Sequence, residues 1–301
     1  MLPNVPALLL DRLKTQYGPA LADEIAAGFV RRPVTLRVNS LKSTMAEVRG
    51  VLAGAGIPCE TVPWYEDALI LRDVREDAVQ ALTAYEAGHM YLQSLSSMMP
   101  PLVLNPQKQE SILDMAAAPG GKTTQMAALS GNQALITACE KNKIRAERLQ
   151  FNLDRQGAKR VNVMCQDARQ LDNLFKFDKV LLDAPCTGAG TILIAEGEPE
   201  RRMTPDWVAK TAATQKAMLK KALTLLSSGH EMVYSTCSIL RDENEDVLKA
   251  VLPAMHAEIV PIDHPFLAHV PLLPVSLPGV VCVKPTELFE GFFVAKIRKK
   301  K

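Results

Sequence analysis

The chain of 301 residues is long enough for one large domain and a smaller one, and at 48% hydrophobic and 23% charged it is globular rather than disordered. A net charge of +2 neither argues for nor excludes a nucleic-acid partner, and no apolar run approaches membrane-spanning length. The six cysteines, at 59, 139, 165, 186, 237 and 282, form no CxxC pair and no metal-ligand spacing, so free thiols, no metal and a reducing, cytoplasmic compartment are expected.

Residues 1–10 lack the basic start and cleavage site of a secretory signal. Leu9, Leu13, Leu21, Ile25 and Phe29 predict two helices within 5–30, divided by Gly18-Pro19. The alternation over 33–39 predicts a strand, and Thr44 with Glu47 predicts a capping box for a helix ending near Gly54 and Gly56. Short strands are expected at 57–62 and 68–71, so residues 1–90 read as a small α+β domain. Residues 88–104, with Ser94, Ser96, Ser97 and a break at Pro100-Pro101, read as a helical connector reaching about residue 105.

From Glu110 the pattern becomes strand, glycine turn, helix, and residues 106–301 read as a second domain. Strands are predicted at 111–115, 134–138, 161–164, around Val180 and from Met232, with helices at 122–129, 143–155, 206–226 and 242–251. A linker rich in Glu, Pro and Arg covers 196–205, and 261–278 is expected to be irregular. Residues 280–283 and 291–297 are expected to pair antiparallel, and 296–301 to form a frayed basic tail. The alternation of strands and helices predicts an α/β fold with a mostly parallel sheet covered on both faces.

The turn Leu113-Asp-Met-Ala-Ala-Ala-Pro-Gly-Gly-Lys-Thr123 joins the first of these strands to its helix. Glycines there let a ligand approach the backbone, and the helix N-terminus favours an anion. Gly121-Lys122-Thr123 matches the end of a phosphate loop, but Ala116 stands where that motif needs its first glycine. An S-adenosylmethionine site fits better, because its carboxylate needs a helix N-terminus and no pyrophosphate has to be cradled. Glu140 would accept from the ribose hydroxyls and Asp167 would face the adenine. Either carboxylate alone is as readily a helix cap; it is their joint spacing that favours a site. A lysine at position 122 is disfavoured by the helix dipole, which points to a carboxylate partner such as Asp183.

Two more strands end in reactive residues. Phe177-Asp-Lys-Val-Leu-Leu-Asp-Ala-Pro-Cys-Thr-Gly188 delivers Asp183 and Cys186, and Met232-Val-Tyr-Ser-Thr-Cys237 delivers a second thiol. Carbon 5 of cytosine is a poor nucleophile until a thiolate adds at carbon 6, and a carboxylic acid at ring nitrogen 3 stabilises the charge that develops. One cysteine, one aspartate and a second group for elimination satisfy that chemistry. These residues leave open which cysteine attacks. A lone free cysteine is usually a small buried hydrophobe, and cysteines 59, 139, 165 and 282 are read that way. The five histidines form no catalytic pattern, and Met98 and Met99 read as packing.

The segments Asp114–Thr123, Phe177–Gly188 and Tyr234-Ser-Thr-Cys-Ser238 resemble the Nop/Sun (Fmu-like) RNA cytosine-5 methyltransferases. Pro33–Lys42, Tyr91–Ser97 and Glu290–Lys296 carry the same likeness, which spans nearly the whole chain. The resemblance implies a Rossmann-like methyltransferase sheet with an antiparallel last strand, preceded by a small RNA-binding α+β domain. It makes Cys237 the nucleophile, gives Cys186 the release of methylated RNA, and adds Asp183 and Lys122 to the catalytic cluster. Cofactor positions fall at Ala116, Ala117, Ala118, Pro119, Gly120, Gly121 and Lys122, at Glu140 and Arg145, at Asp167 and Ala168, and at Asp183. The expected reaction is S-adenosyl-L-methionine-dependent 5-methylcytosine formation in structured RNA, 16S rRNA first. The alternatives are tRNA or a non-enzymatic ribosome-assembly factor. A monomer is expected. The chain departs from the family in the apolar stretch 189–195, where an early basic residue is usual; Arg201-Arg202 come later. With no PUA-like domain expected, RNA docking falls to Arg31, Arg32, Arg37 and Lys42.

Overall fold

The computed structural model describes residues 5–192 and 203–301. The linker expected at 196–205, with Glu196 and Arg201-Arg202, lies outside the described residues up to position 202. Helices α1 (Ala7–Tyr17) and α2 (Pro19–Ala27) meet at Gly18, whose φ of 81° suits a residue without Cβ, and Pro19 opens α2 where its missing N–H is not needed.

The small domain holds β1 (Val34–Val38), α3 (Met45–Gly54), β2 (Cys59–Val62), β3 (Tyr65–Leu71), the short helices α4 (Glu76–Gln80) and α5 (Thr83–Glu86), and β4 (Met90–Leu92). Its antiparallel sheet has the order β2-β3-β1-β4. The Thr44–Glu47 box is in place: Glu47 N–H donates to Thr44 Oγ1 at 3.3 Å, and Thr44 N–H to Glu47 Oε2 at 2.9 Å. Side chains alternate across the sheet. Leu36, Val38, Leu69 and Leu71 pack on Val48 and Leu52 of α3, whereas Ala68 and Ile70 face Met98 and Met99 in the core shared with the large sheet.

Helix α6 (Leu95–Leu104) runs through Pro100 and Pro101, correcting the expected break. The Ser97 carbonyl, which Pro101 cannot pair, instead accepts the Gln93 side-chain amide at 3.1 Å. Strand β4 also lies inside the stretch read as connector, formed by pairing Met90–Leu92 with β1 across about fifty residues.

The large sheet comprises β5 (Ser111–Asp114), β6 (Leu135–Cys139), β7 (Val161–Met164), β8 (Phe177–Asp183), β9 (Leu226–Thr236), β10 (Ala257–Val260), β11 (Val281–Val283) and β12 (Phe292–Lys299). Between them run α7 (Gly121–Leu129), α8 (Lys143–Gln156), α9 (Pro205–Leu225) and α10 (Glu245–Val251). The order is β7-β6-β5-β8-β9-β12-β10, with β11 also on β12. The five strands from β7 to β9 are parallel, and β12 runs antiparallel to β9, β10 and β11. Residues 296–299 therefore belong to a strand rather than a frayed tail, and Lys296 and Arg298 both pair with Glu231, at 2.7 and 2.5 Å.

Helices α1 and α2 pack on this sheet: Leu9, Leu13, Ile25 and Phe29 share one core with Val180, Met232 and Phe293. Arg12 pairs with Asp242, and the Tyr17 hydroxyl donates to the Ile239 carbonyl at 3.2 Å. No helix of the described residues is long and apolar enough to cross a membrane.

Candidate active site

From β5 the chain steps to β6 and β7 on one side and later to β8 and β9 on the other, which opens a crevice at the carboxyl ends of β5 and β8. Register places Asp114 beside Leu181 and Asp183 beside Ser235, so three strand ends deliver polar side chains to one space. A cavity of about 1190 Å³ opens there, lined by Ala116–Pro119, Gly121, Lys122, Asp183 and Cys237 at its floor.

Lys122 Nζ donates to Asp183 Oδ2 at 2.7 Å and to Ser97 Oγ at 2.9 Å, and Ser235 Oγ donates to Asp183 Oδ1 at 2.7 Å. Burial, the largest single effect, pulls the Lys122 ammonium down, but the charge and hydrogen bond of Asp183, with Cys237 and Asp114, together outweigh it and the net shift is upward, so Lys122 stays protonated. Its Nζ also lies 5.5 Å from the centroid of the Phe292 ring. Behind it, fully buried Asp114 accepts from Thr123 Oγ1 at 2.7 Å, and burial pushes its carboxyl up to about 6.

Cys186 Sγ and Cys237 Sγ stand 3.1 Å apart. Cys237 is shifted down, chiefly by a hydrogen bond from the Cys186 thiol, with Lys122 adding to it; Cys186 is shifted up by the same bond and by burial. Of the two thiols Cys237 is therefore the one that gives up its proton more readily. The Cys186 turn is pinned by buried Glu243, which accepts from Thr187 N–H at 2.8 Å and Thr187 Oγ1 at 2.7 Å. Gln215 Nε2 donates to the Pro185 carbonyl at 2.9 Å. Gly190 N–H donates to the Cys237 carbonyl at 3.0 Å, and Gly291 N–H to the Gly190 carbonyl at 2.8 Å. A Cβ at Gly190 would lie 2.0 Å from the Gly291 oxygen, so the close approach of the two loops requires glycine at 190.

Cys237, Asp183, Lys122 and the Ala116–Gly121 turn, expected together, do meet; Cys186 touches Cys237 from outside the cavity lining, and Gly120 lies against Leu149. Glu140, Arg145, Asp167 and Ala168 do not line the cavity. Glu140, 4% exposed at the end of β6, accepts from Asn142 N–H at 2.9 Å and lies 3.5 Å from Arg145, whose Nη2 donates to the Ala118 carbonyl at 2.9 Å. Asp167 is held by Arg169, which lowers its carboxyl.

Of the four basic residues expected to dock RNA, Arg31 and Arg32 line the cavity. Arg37 is a correction: it is fully buried, donating to Gln93 Oε1 at 3.2 Å and Thr124 Oγ1 at 3.0 Å. Lys42 donates to the Ala87 and Arg155 carbonyls, tying the small domain to α8. Reading by motif missed Asp114, Ser97, Ser235 and Glu243. Ser97 and Ser235 do fall within the quoted segments, one turn into α6 and two residues before Cys237.

S-adenosylmethionine fits the chemistry of this turn. The first amides of α7 have no partner inside a helix and start at Gly121 and Lys122, both on the cavity, and Gly120 takes φ 111° where a Cβ would crowd Leu149 at 3.1 Å. Among the described residues, no group of three or more His, Cys, Asp or Glu side chains could hold a metal ion.

A family model described as 16S rRNA methyltransferase RsmB/F matches residues 101–298, and one for the RsmF/B-like ferredoxin-like domain matches 5–76. The chain is 35% identical over 284 residues to ribosomal RNA small subunit methyltransferase F of Shewanella loihica, covering 88% of this chain and 56% of that one. It is 36% identical over 247 residues to a human 28S rRNA (cytosine(4447)-C(5))-methyltransferase, covering 80% of this chain and 30% of that one. The chain therefore spans little more than half of the first relative and under a third of the second. The solved structure of NSun6 from Pyrococcus horikoshii with SFG superposes with a TM-score of 0.88 at 25% identity, covering all of both chains.

Proposed function

The chain belongs to the Nop/Sun family of RNA methyltransferases, the RsmB/F group, and on that premise we propose that it methylates carbon 5 of a cytosine in structured RNA, small-subunit rRNA first. The observation that carries the reading is the Cys186–Cys237 contact of 3.1 Å beside the Lys122–Asp183 pair of 2.7 Å.

S-adenosylmethionine, when bound, supplies an electrophilic methyl group. The first turn of α7 would hold its carboxylate and Ala116–Pro119 would form the wall it lies on. Glu140 is the acceptor we assign to the ribose hydroxyls, since Asn142 and Arg145 leave lone pairs on its carboxylate. Arg145 would brace that wall through Ala118, with Asp167 and Ala168 assigned to the adenine edge.

In the reaction the Cys237 thiolate adds to carbon 6 of the extruded cytosine, and carbon 5 becomes nucleophilic. Negative charge that builds toward ring nitrogen 3 is met by the proton that Lys122 shares with Asp183, with Ser97 and Ser235 holding the pair in place. Methyl transfer leaves one proton on carbon 5. Water in the open cavity takes that proton, the C5–H electrons restore the C5–C6 double bond, and the Cys237 sulfur leaves as a thiolate; Cys186, in contact with that sulfur, is the residue we assign to the release, its thiol donating to the departing thiolate. Free thiols so close together fit a reducing compartment, and we place the protein in the cytoplasm as a monomer.

The test is Cys186→Ala and Cys237→Ala incubated with rRNA and cofactor. Cys186→Ala is expected to accumulate a covalent protein–RNA band on a denaturing gel, and Cys237→Ala to lose methylation while still binding cofactor. Methylation that survives Cys237→Ala sinks the assignment. Bisulfite sequencing of RNA from cells with and without the protein names the cytosine, and a tRNA site would replace rRNA as substrate.

A further inference from the structure

The cavity continues past the floor described above. At about 1190 Å³ it exceeds the roughly 300–1,000 Å³ that holds one small ligand, and its far wall is the outer face of α8. Arg148, Phe151 and Arg155 stand at i, i+3 and i+7, a spacing that puts them on one side of the helix. Phe151 is 64% exposed although it lines the cavity, so its ring is not a core side chain. Arg148 has no ion-pair or hydrogen-bond partner among the described residues. Among the described residues Arg155 pairs with no carboxylate either. Its guanidinium lies 4.5 Å from the Tyr85 centroid and 5.7 Å from that of Phe151, and donates to Asn152 Oδ1 at 3.1 Å.

This wall is in fixed register with the reaction centre, because Asn152 Nδ2 donates to the Pro119 carbonyl at 2.8 Å and Asn39 Nδ2 to the Gln156 carbonyl at 2.8 Å. The facing wall is different. There Arg75 is matched by Asp77 at 3.5 Å and Glu76 adds a second carboxylate; Arg31 and Arg32 also line the cavity, but it is on the α8 side that arginines flank an exposed aromatic ring.

We propose that this face of α8 seats the unpaired RNA next to the target base, with a flanking base stacked on Phe151 and its phosphates on Arg148 and Arg155. The inference rests on the RNA methyltransferase reading above. An extruded target leaves its neighbours unstacked, and an aromatic ring between two arginines recovers that stacking whatever the base is. Free cations beside it bind the backbone by releasing counterions.

The experiment is fluorescence anisotropy with a labelled single-stranded oligocytidylate, run beside cofactor titration. Phe151→Ala is expected to bind the oligomer about 5- to 100-fold more weakly, and Phe151→Tyr nearly as the parent does. Arg148→Gln should lower the slope of log affinity against log salt by about one. Cofactor affinity should be unchanged in all three. Phe151→Ala binding the oligomer like the parent overturns the proposal, as does a matching loss of cofactor affinity, which would give the ring to the cofactor. A parent that methylates rRNA but does not bind the oligomer overturns this proposal alone; one that does neither overturns the function as well.

Discussion

Lys122 and Arg37 each press a cation against α7, Lys122 from its first turn and Arg37 onto Thr124 one turn along, yet their surroundings differ in kind. Lys122 meets a carboxylate at 2.7 Å and a hydroxyl at 2.9 Å, and the cluster opens on the cavity. Arg37 is sealed and, among the described residues, meets only the neutral oxygens of Gln93 and Thr124, with no carboxylate in bonding range and Nη1 unpartnered; burial pulls its guanidinium down. A compensated cation at the edge of water can take part in proton movement. A guanidinium that keeps its proton and is fixed by dipoles holds two domains in register instead.

The sharpest way to break this contrast is to remove each cation and read both rate and stability. Lys122→Met should lower kcat/KM by about 100- to 10,000-fold while the unfolding free energy moves little. Arg37→Met should do the reverse, costing about 3 kcal/mol in urea unfolding because the Gln93 and Thr124 acceptors lose their donor inside the junction. A stable Arg37→Met protein without activity would mean that the residue acts on the chemistry.

Asp114, between the two, sharpens the same comparison through pH. Its folded pKa of about 6 lies above the ordinary 3.8, so the folded state takes up the proton first as pH falls. Stability relative to Asp114→Asn should therefore rise from pH 6 toward pH 4, by up to about 3 kcal/mol. A flat difference across that window would mean that Asp114 is not desolvated. The smallest effect concerns the thiols. Iodoacetamide should alkylate Cys237 with a midpoint below the ordinary thiol value, and Cys186→Ala, which removes the donor, should move that midpoint up. Cys186→Ser, which keeps a donor, should move it less.

Much of this site was legible because its information is local. A strand ending in Asp183, a proline turn and a thiol form one short segment, and the Thr44–Glu47 cap lies within four residues. What stayed hidden depends on partners distant in sequence. Met90–Leu92 and Ala257–Val260 become strands only through β1 and β12. Pro100-Pro101 looks like a break until Gln93 supplies the missing donor. Arg37 occupies an alternate position of a strand that reads as half exposed, and only the docking of α7 against that face buries it.

The position of β12 has a consequence for biosynthesis. Residues 292–299 are interior to the sheet, between β9 and the β10 and β11 edge, and Glu290 just before them accepts from Ser94 Oγ at 2.7 Å at the head of α6. On the ribosome, β9 would wait as an unpaired edge and the Gly190 loop without its Gly291 support until these residues emerged. A nascent chain cannot therefore carry a competent thiol pair toward RNA early. A chain stopped short of residue 292 should surface as aggregate or protease substrate rather than as a weak enzyme.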